Sequence, residues 1–298
     1  MKKLTGLVPP VMTFFDRDGA VNYTSMKKHA DFLIQGGVDG LAYLGTTGEF
    51  SVMTQAQKLE LIRTMVPYIK GRATAVIGIG DTCLANTLEL ATAAEQAGAD
   101  ALLAVFPYFS VYAEANVEAY YEALANAVHL PVILYNFPAL TGFDLNPQLV
   151  RRLLKKCPNI RAIKDTVPEV DHLRQMMALR EEFPDFSVFC AYETQALQMA
   201  QERIDGFVNA TANFAPQFTA QLLAARRAAD PAAMQSAWEK MCKAAKVYEH
   251  SVPLFLSVKE AVYQTLPECR GFERLPGLAL TPEMQQAVHN DLQQLKNL

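Results

Sequence analysis

Five cysteines are spread over 298 residues, an odd number with no Cys-x-x-Cys spacing among them. That pattern offers neither a complete disulfide framework nor a zinc signature, so a reducing, cytoplasmic setting is expected. Tryptophan occurs once, and lysine and arginine form no clusters. The electrostatic footprint of a nucleic-acid or anionic-membrane binder is therefore missing. No apolar stretch approaches the length of a membrane span. Lys2 and Lys3 lead into no apolar h-region, because Pro9 and Pro10 interrupt the one candidate, and no secretory leader is expected. What is present is bulk: 51% hydrophobic residues with a formal net charge of -4, enough to bury a large core and to favour small-molecule partners.

Short apolar runs recur at 6–12, 40–44, 73–79, 101–106, 132–135, 162–164, 187–190 and 206–208. Each is too short for a helix and is continuous rather than alternating, as expected for strands buried on both faces. Amphipathic stretches at 54–69, 86–97, 117–127 and 169–180 read as helices between them. Eight such β-then-α units point to a closed (β/α)8 TIM barrel, with a doubly wound open sheet as the alternative. A local repeat supports a reused turn: Gly37-Val38-Asp39-Gly40, Gly98-Ala99-Asp100-Ala101 and Ile204-Asp205-Gly206 each join a helix to a strand. After Asn213-Phe214-Ala215-Pro216 strand signals stop, and four helical stretches follow. The expected division is a barrel over 1–225 and a helical extension over 226–298 packed on it or on another subunit.

Active sites of such barrels lie where strands end at their carboxyl side. One apolar run ends in Lys164, and the preceding run ends in Tyr135 at the matching position. Burying a lysine there is costly, which marks it as more than a surface charge. Desolvating an ammonium favours the neutral amine, and a neutral amine attacks a keto group to give a Schiff base. The iminium then stabilises the enamine left when a neighbouring carbon–carbon bond breaks. A phenol within reach can relay the protons this requires. Gly45-Thr46-Thr47-Gly48-Glu49, at the end of another run, offers backbone N–H groups and two hydroxyls suited to a carboxylate; a plain capping turn explains it equally well.

Taken together, Gly45-Thr46-Thr47-Gly48-Glu49, Tyr135-Asn136-Phe137-Pro138-Ala139-Leu140-Thr141-Gly142 and Ile163-Lys164-Asp165-Thr166 resemble the dihydrodipicolinate synthase and N-acetylneuraminate lyase family of pyruvate-dependent class I aldolases. The resemblance runs from Gly6 to near the C-terminus. It implies a TIM barrel with C-terminal helices, usually tetrameric, and a pyruvate Schiff base on Lys164. It further implies Tyr135 as the proton-transfer residue, Thr46 in its hydroxyl relay, Thr47 and Gly48 on the substrate carboxylate, and the Val208 backbone beside the keto acid.

Within that resemblance, the synthases carry an arginine in the Tyr-Asn-x-Pro motif, where it binds the aldehyde's carboxylate. Leu140 stands here, and losing a bidentate cation disfavours an amino-acid semialdehyde. Sialic acid lyases use an Asp-Glu pair and a Ser, where this chain has Glu193, Thr194 and Ala210. The pattern is most similar to bacterial 2-keto-3-deoxy-sugar-acid aldolases. Phe109 replaces the family's third relay tyrosine, so the proton path must use water, Tyr108 or Tyr112. Ala191 and Asn209 replace smaller residues at the pocket floor; with Tyr108, Leu140 and Glu193 they are the candidate specificity positions. The expected activity is thus cleavage or formation of a 2-keto-3-deoxy sugar acid, giving pyruvate and a hydroxyaldehyde. Synthase or sialic acid lyase activity, and a catalytically weak keto-acid-binding barrel, remain as alternatives. No cofactor is expected. A metal site is not expected either, since His29, His129, His172, His250 and His289 are scattered and those in helical stretches lack a second ligand one turn away.

Overall fold

The fold is described from a computed structural model over residues 3–296. Eight parallel strands form it: β1 (Gly6–Leu7), β2 (Gly40–Tyr43), β3 (Thr74–Gly78), β4 (Ala101–Val105), β5 (Val132–Asn136), β6 (Ile160–Asp165), β7 (Ser187–Cys190) and β8 (Gly206–Phe207). They pair in the order β1-β8-β7-β6-β5-β4-β3-β2. Closure comes from Asp39 N–H to Leu7 O at 2.8 Å, Ala42 N–H to Pro9 O at 3.0 Å and Val11 N–H to Ala42 O at 2.8 Å. These bonds join β1 to β2 and exclude the open sheet. The result is a (β/α)8 TIM barrel.

Sequence expectation and structure part company at the first strand. The apolar run 6–12 yields only Gly6–Leu7 as regular strand, with an isolated bridge between Pro10 and Ala42. Pro9 and Pro10 have no N–H to donate, so the bonds made by Val8 and Val11 on either side of them are not joined into a continuous ladder. Helix boundaries follow local chemistry. Thr54 caps the helix Gln55–Ile69 through a reciprocal box with Gln57. Prolines open the helices Pro147–Lys156, Pro216–Arg227, Pro231–Ala245 and Pro282–Lys296, where a missing N–H costs nothing.

The repeated turn has a single mechanism. Asp39 accepts the Leu7 N–H at 2.8 Å, Asp100 the Ala75 N–H at 2.7 Å, and Asp205 the Val188 N–H at 2.9 Å. Each acid thus caps the start of the neighbouring strand at the N-terminal face, where an unpaired N–H would otherwise be left.

The helix Pro216–Arg227 completes the barrel layer and runs past residue 225; Pro231–Ala245 packs on it, and Phe255–Thr265 and Pro282–Lys296 pack on each other. Among the described residues no helix is long and apolar enough to cross a membrane.

Candidate active site

β5 and β6 pair so that Tyr135 lies opposite Lys164 and Asn136 opposite Asp165. Side chains alternate along a strand, so the first pair points into the bore and the second toward the helices. Lys164 is 5% exposed, and its Nζ sits 4.0 Å from the centre of the Tyr135 ring. The Tyr135 hydroxyl is 3.1 Å from Thr46 Oγ1 at the end of β2. Three strand ends therefore converge on one point.

The loop after β2 is held tightly. Gly48 packs against the Val11 carbonyl so closely that a Cβ would lie 2.8 Å from that oxygen, and Thr13 donates its hydroxyl to Gly48 O at 2.7 Å. Leu44 and Glu49, at the two ends of the loop, both take φ of 58°. Thr47 is buried between them. Only glycine fits at 48, which ties that residue to backbone packing as well as to any ligand.

Two spaces meet these side chains. A cavity of about 400 Å³ follows the bore from Thr5 and Asp100 at the N-terminal face up to Lys164, Phe189 and Val208. A second, of about 200 Å³, opens at the C-terminal mouth and is bounded by Thr46, Tyr108, Tyr135, Phe137, Leu140 and Thr141. The mouth is the end where barrel chemistry is done. Tyr108 stands edge-on to Phe50 at 6.0 Å, and burial, with a smaller push from Asp81, raises its phenol pKa. Tyr112 packs edge-on against Phe106 at 5.7 Å and Leu140 is 55% exposed at the rim. Phe109 is 97% exposed with a φ of 86°.

The remaining specificity candidates sit differently. Glu193 is buried, its carboxylate accepting from Thr211 Oγ1 at 2.8 Å and from the Tyr248 hydroxyl, while its carbonyl accepts from Trp238 Nε1 at 3.0 Å. It binds the extension to the barrel. Asn209 donates to Thr211 Oγ1 at 3.1 Å and Thr219 Oγ1 at 3.0 Å, on the helical side of β8. Ala191 is half-buried just after β7. None of the three lines the mouth cavity.

Residues 3–295 match the model of the dihydrodipicolinate synthetase family. The chain belongs to the dihydrodipicolinate synthetase family. Among members, it is 42% identical to the Escherichia coli K12 protein named "Probable 2-dehydro-3-deoxy-D-pentonate aldolase YjhH", over 97% of this chain and 96% of that one. It is 32% identical to a 4-hydroxy-tetrahydrodipicolinate synthase of Desulforamulus reducens over 70% of each chain. Of solved structures in the family, YagE, a prophage protein of E. coli K12 crystallised in complex with pyruvate, superposes with a TM-score of 0.95 at 36% identity, covering 98% of this chain and 99% of that one.

This family member also holds charged groups that sequence reasoning passed over. Lys259, on the helix Phe255–Thr265, is fully buried; it pairs with Glu49 of the β2 loop and lies 3.2 Å from Glu273. Its only sequence signal is its place within an otherwise apolar helical face. His172, treated above only as a scattered histidine, stands between Asp165 and Asp144. Among the described residues no group of three His, Cys, Asp or Glu side chains is arranged to hold a metal ion.

Proposed function

We propose that the chain is a class I aldolase acting on 2-keto-3-deoxy sugar acids, with Lys164 as the Schiff-base residue. The observation that carries this reading is the convergence of Lys164, Tyr135 and Thr46 at the C-terminal end of the bore. The Lys164 amine attacks the C2 carbonyl, and loss of water from the carbinolamine gives an iminium. Tyr135 takes the proton of the C4 hydroxyl as the C3–C4 bond breaks; the aldehyde leaves, and the bonding pair becomes the enamine. Returning a proton to C3 regenerates an iminium, and water releases pyruvate and the free amine. Thr46 passes the proton to and from Tyr135. Thr47 and Gly48 hold the substrate carboxylate, and Val208 borders the keto acid. The name of YjhH supports this substrate class, and the pyruvate complex of YagE supports a keto-acid site.

Leu140 supports a neutral polyol aldehyde over a carboxylated one, because an exposed leucine at the rim offers a carboxylate no partner. Borohydride reduction with pyruvate tests the mechanism: a pyruvyl adduct mapping to Lys164 is expected, and none would refute it. Turnover of keto-deoxy acids should accompany the adduct, whereas pyruvate with aspartate semialdehyde should condense poorly. Phe109 favours a second reading, a keto-acid-binding barrel with weak catalysis, and an adduct without turnover of any keto-deoxy acid would establish it. The proposal includes a cytoplasmic setting, supported by five free cysteines, and a homotetramer or dimer, supported by exposed Phe109, Val111 and Leu140. A monomer by light scattering would refute the assembly.

A further inference from the structure

Behind the reactive pair, on the side of β5 and β6 that faces the helices, four polar side chains close a ring. Asn136 Nδ2 donates to Asp165 at 2.9 Å and to Asp144 at 2.8 Å. His172, from the helix Val170–Ala178, places Nδ1 2.7 Å from Asp165 Oδ2 and Nε2 3.3 Å from Asp144 Oδ2. The ring is pinned to backbone as well: Asn136 Oδ1 accepts the Leu145 N–H at 3.0 Å, and the Asn136 carbonyl accepts the Thr166 N–H at 2.9 Å. Asn136 and Asp165 are themselves buried.

The carboxylates around the ring set its charge. An ionised carboxylate only accepts, so Nδ1 carries the proton it gives Asp165; Nε2 makes no hydrogen bond but lies within ion-pair reach of Asp144, and two flanking carboxylates favour a proton there as well. We infer that His172 is a positioning residue: held as a histidinium between Asp165 and Asp144, it locks the ends of β5 and β6 in register and so keeps Tyr135 against Lys164. The inference deepens the aldolase reading and rests on it only for its kinetic readouts.

The surroundings agree. Burial opposes a charged ring, yet Asp144 and Asp165 outweigh it and carry His172 up to about 10. Burial pushes the Asp165 carboxyl up, against the pull of His172 and Asn136. From β7, Cys190 lies opposite Asp165, and burial raises its thiol to about 12, leaving it neutral. The Tyr192 phenol is raised, by burial first, then by Glu169, Tyr135, Cys190 and Asp165, so it too stays neutral; Glu169 is exposed. The histidinium is thus the cation that balances Asp165 one residue from Lys164. Without it, the Asp165 carboxylate would sit buried and unpaired.

Nitrogen NMR of the wild-type enzyme labelled at histidine, with the His172→Gln variant for assignment, tests the charge without reference to activity. The His172 ring should remain doubly protonated at roughly pH 8 and titrate only well above the ordinary histidine range. A ring that is neutral there overturns the inference. Kinetics test the positioning. His172→Gln should still trap pyruvate on Lys164 but lose roughly ten- to a hundredfold in kcat with little change in KM. Removing both charges in Asp165→Asn/His172→Gln should recover much of that loss. Unchanged kcat in the single variant, or losses that simply multiply in the double, would refute the positioning role. Failure of wild-type trapping would instead refute the aldolase reading, and the NMR titration would still decide the charge.

Discussion

The two faces of the barrel solve opposite problems with different economies of sequence. At the N-terminal face one device recurs: Asp39, Asp100 and Asp205 each accept a neighbouring strand's N–H. At the C-terminal face nothing recurs; Thr46, Tyr135 and Lys164 are different residues at the ends of different strands, and Leu44, Glu49 and Phe109 in the loops there have positive φ. Repetition marks the end that closes the fold. Singularity marks the end where chemistry is proposed, in line with the division of labour in this architecture.

Mutations can break that contrast. Lys164→Ala should abolish both pyruvate trapping and turnover while the thermal midpoint stays near the wild-type value; residual trapping at another lysine would show that the assignment is wrong. Tyr135→Phe should retain some trapping and lower kcat by roughly two to four orders of magnitude, the range for lost general acid–base catalysis. Comparable turnover would remove Tyr135 from proton transfer. Asp205→Ala, at the opposite face, should do the reverse: it strands the Val188 N–H and should cost about 1–3 kcal/mol in chemical denaturation with kcat nearly intact. A large loss of kcat there would mean that the two faces are not separable.

Acid and alkali should sharpen the same comparison more gently. Burial depresses His29 to about 4, so the fold must keep it neutral, with Nε2 against Asn213 O at 2.8 Å. Its contribution is complete above the ordinary value near 6.5 and is lost as pH falls toward 4, on the order of 3 kcal/mol in all. His172 is shifted upward, to about 10, and has the opposite sign: its contribution is full below about 6.5 and lost as pH rises through 10. Denaturation across pH on His29→Gln and His172→Gln should therefore flatten opposite limbs of the stability profile.

Most strands were legible because continuous apolar runs of three to seven residues have few other homes in a chain of this kind. β1 was overextended, since the apolar pattern does not register that Pro9 and Pro10 cannot donate. Lys164 and Tyr135 were legible for a related reason: a strand end announces itself in one dimension. The ring around His172 was not, because its members come from two strands, a loop and a helix, and a search for ligands one helical turn apart passes over it. Glu193 shows the converse. Its position suggested contact with substrate, while its carboxylate is taken up by Thr211 and Tyr248.

The pairing of Lys259 with Glu49 makes the border near residue 225 a poor place to cut. A fragment ending there would retain all eight strands but leave the Glu49 carboxylate at the threonine loop without its ammonium partner. Recombining this barrel with a foreign C-terminal segment would then require a replacement cation at the same spot, so barrel and extension are expected to be inherited and exchanged as one piece.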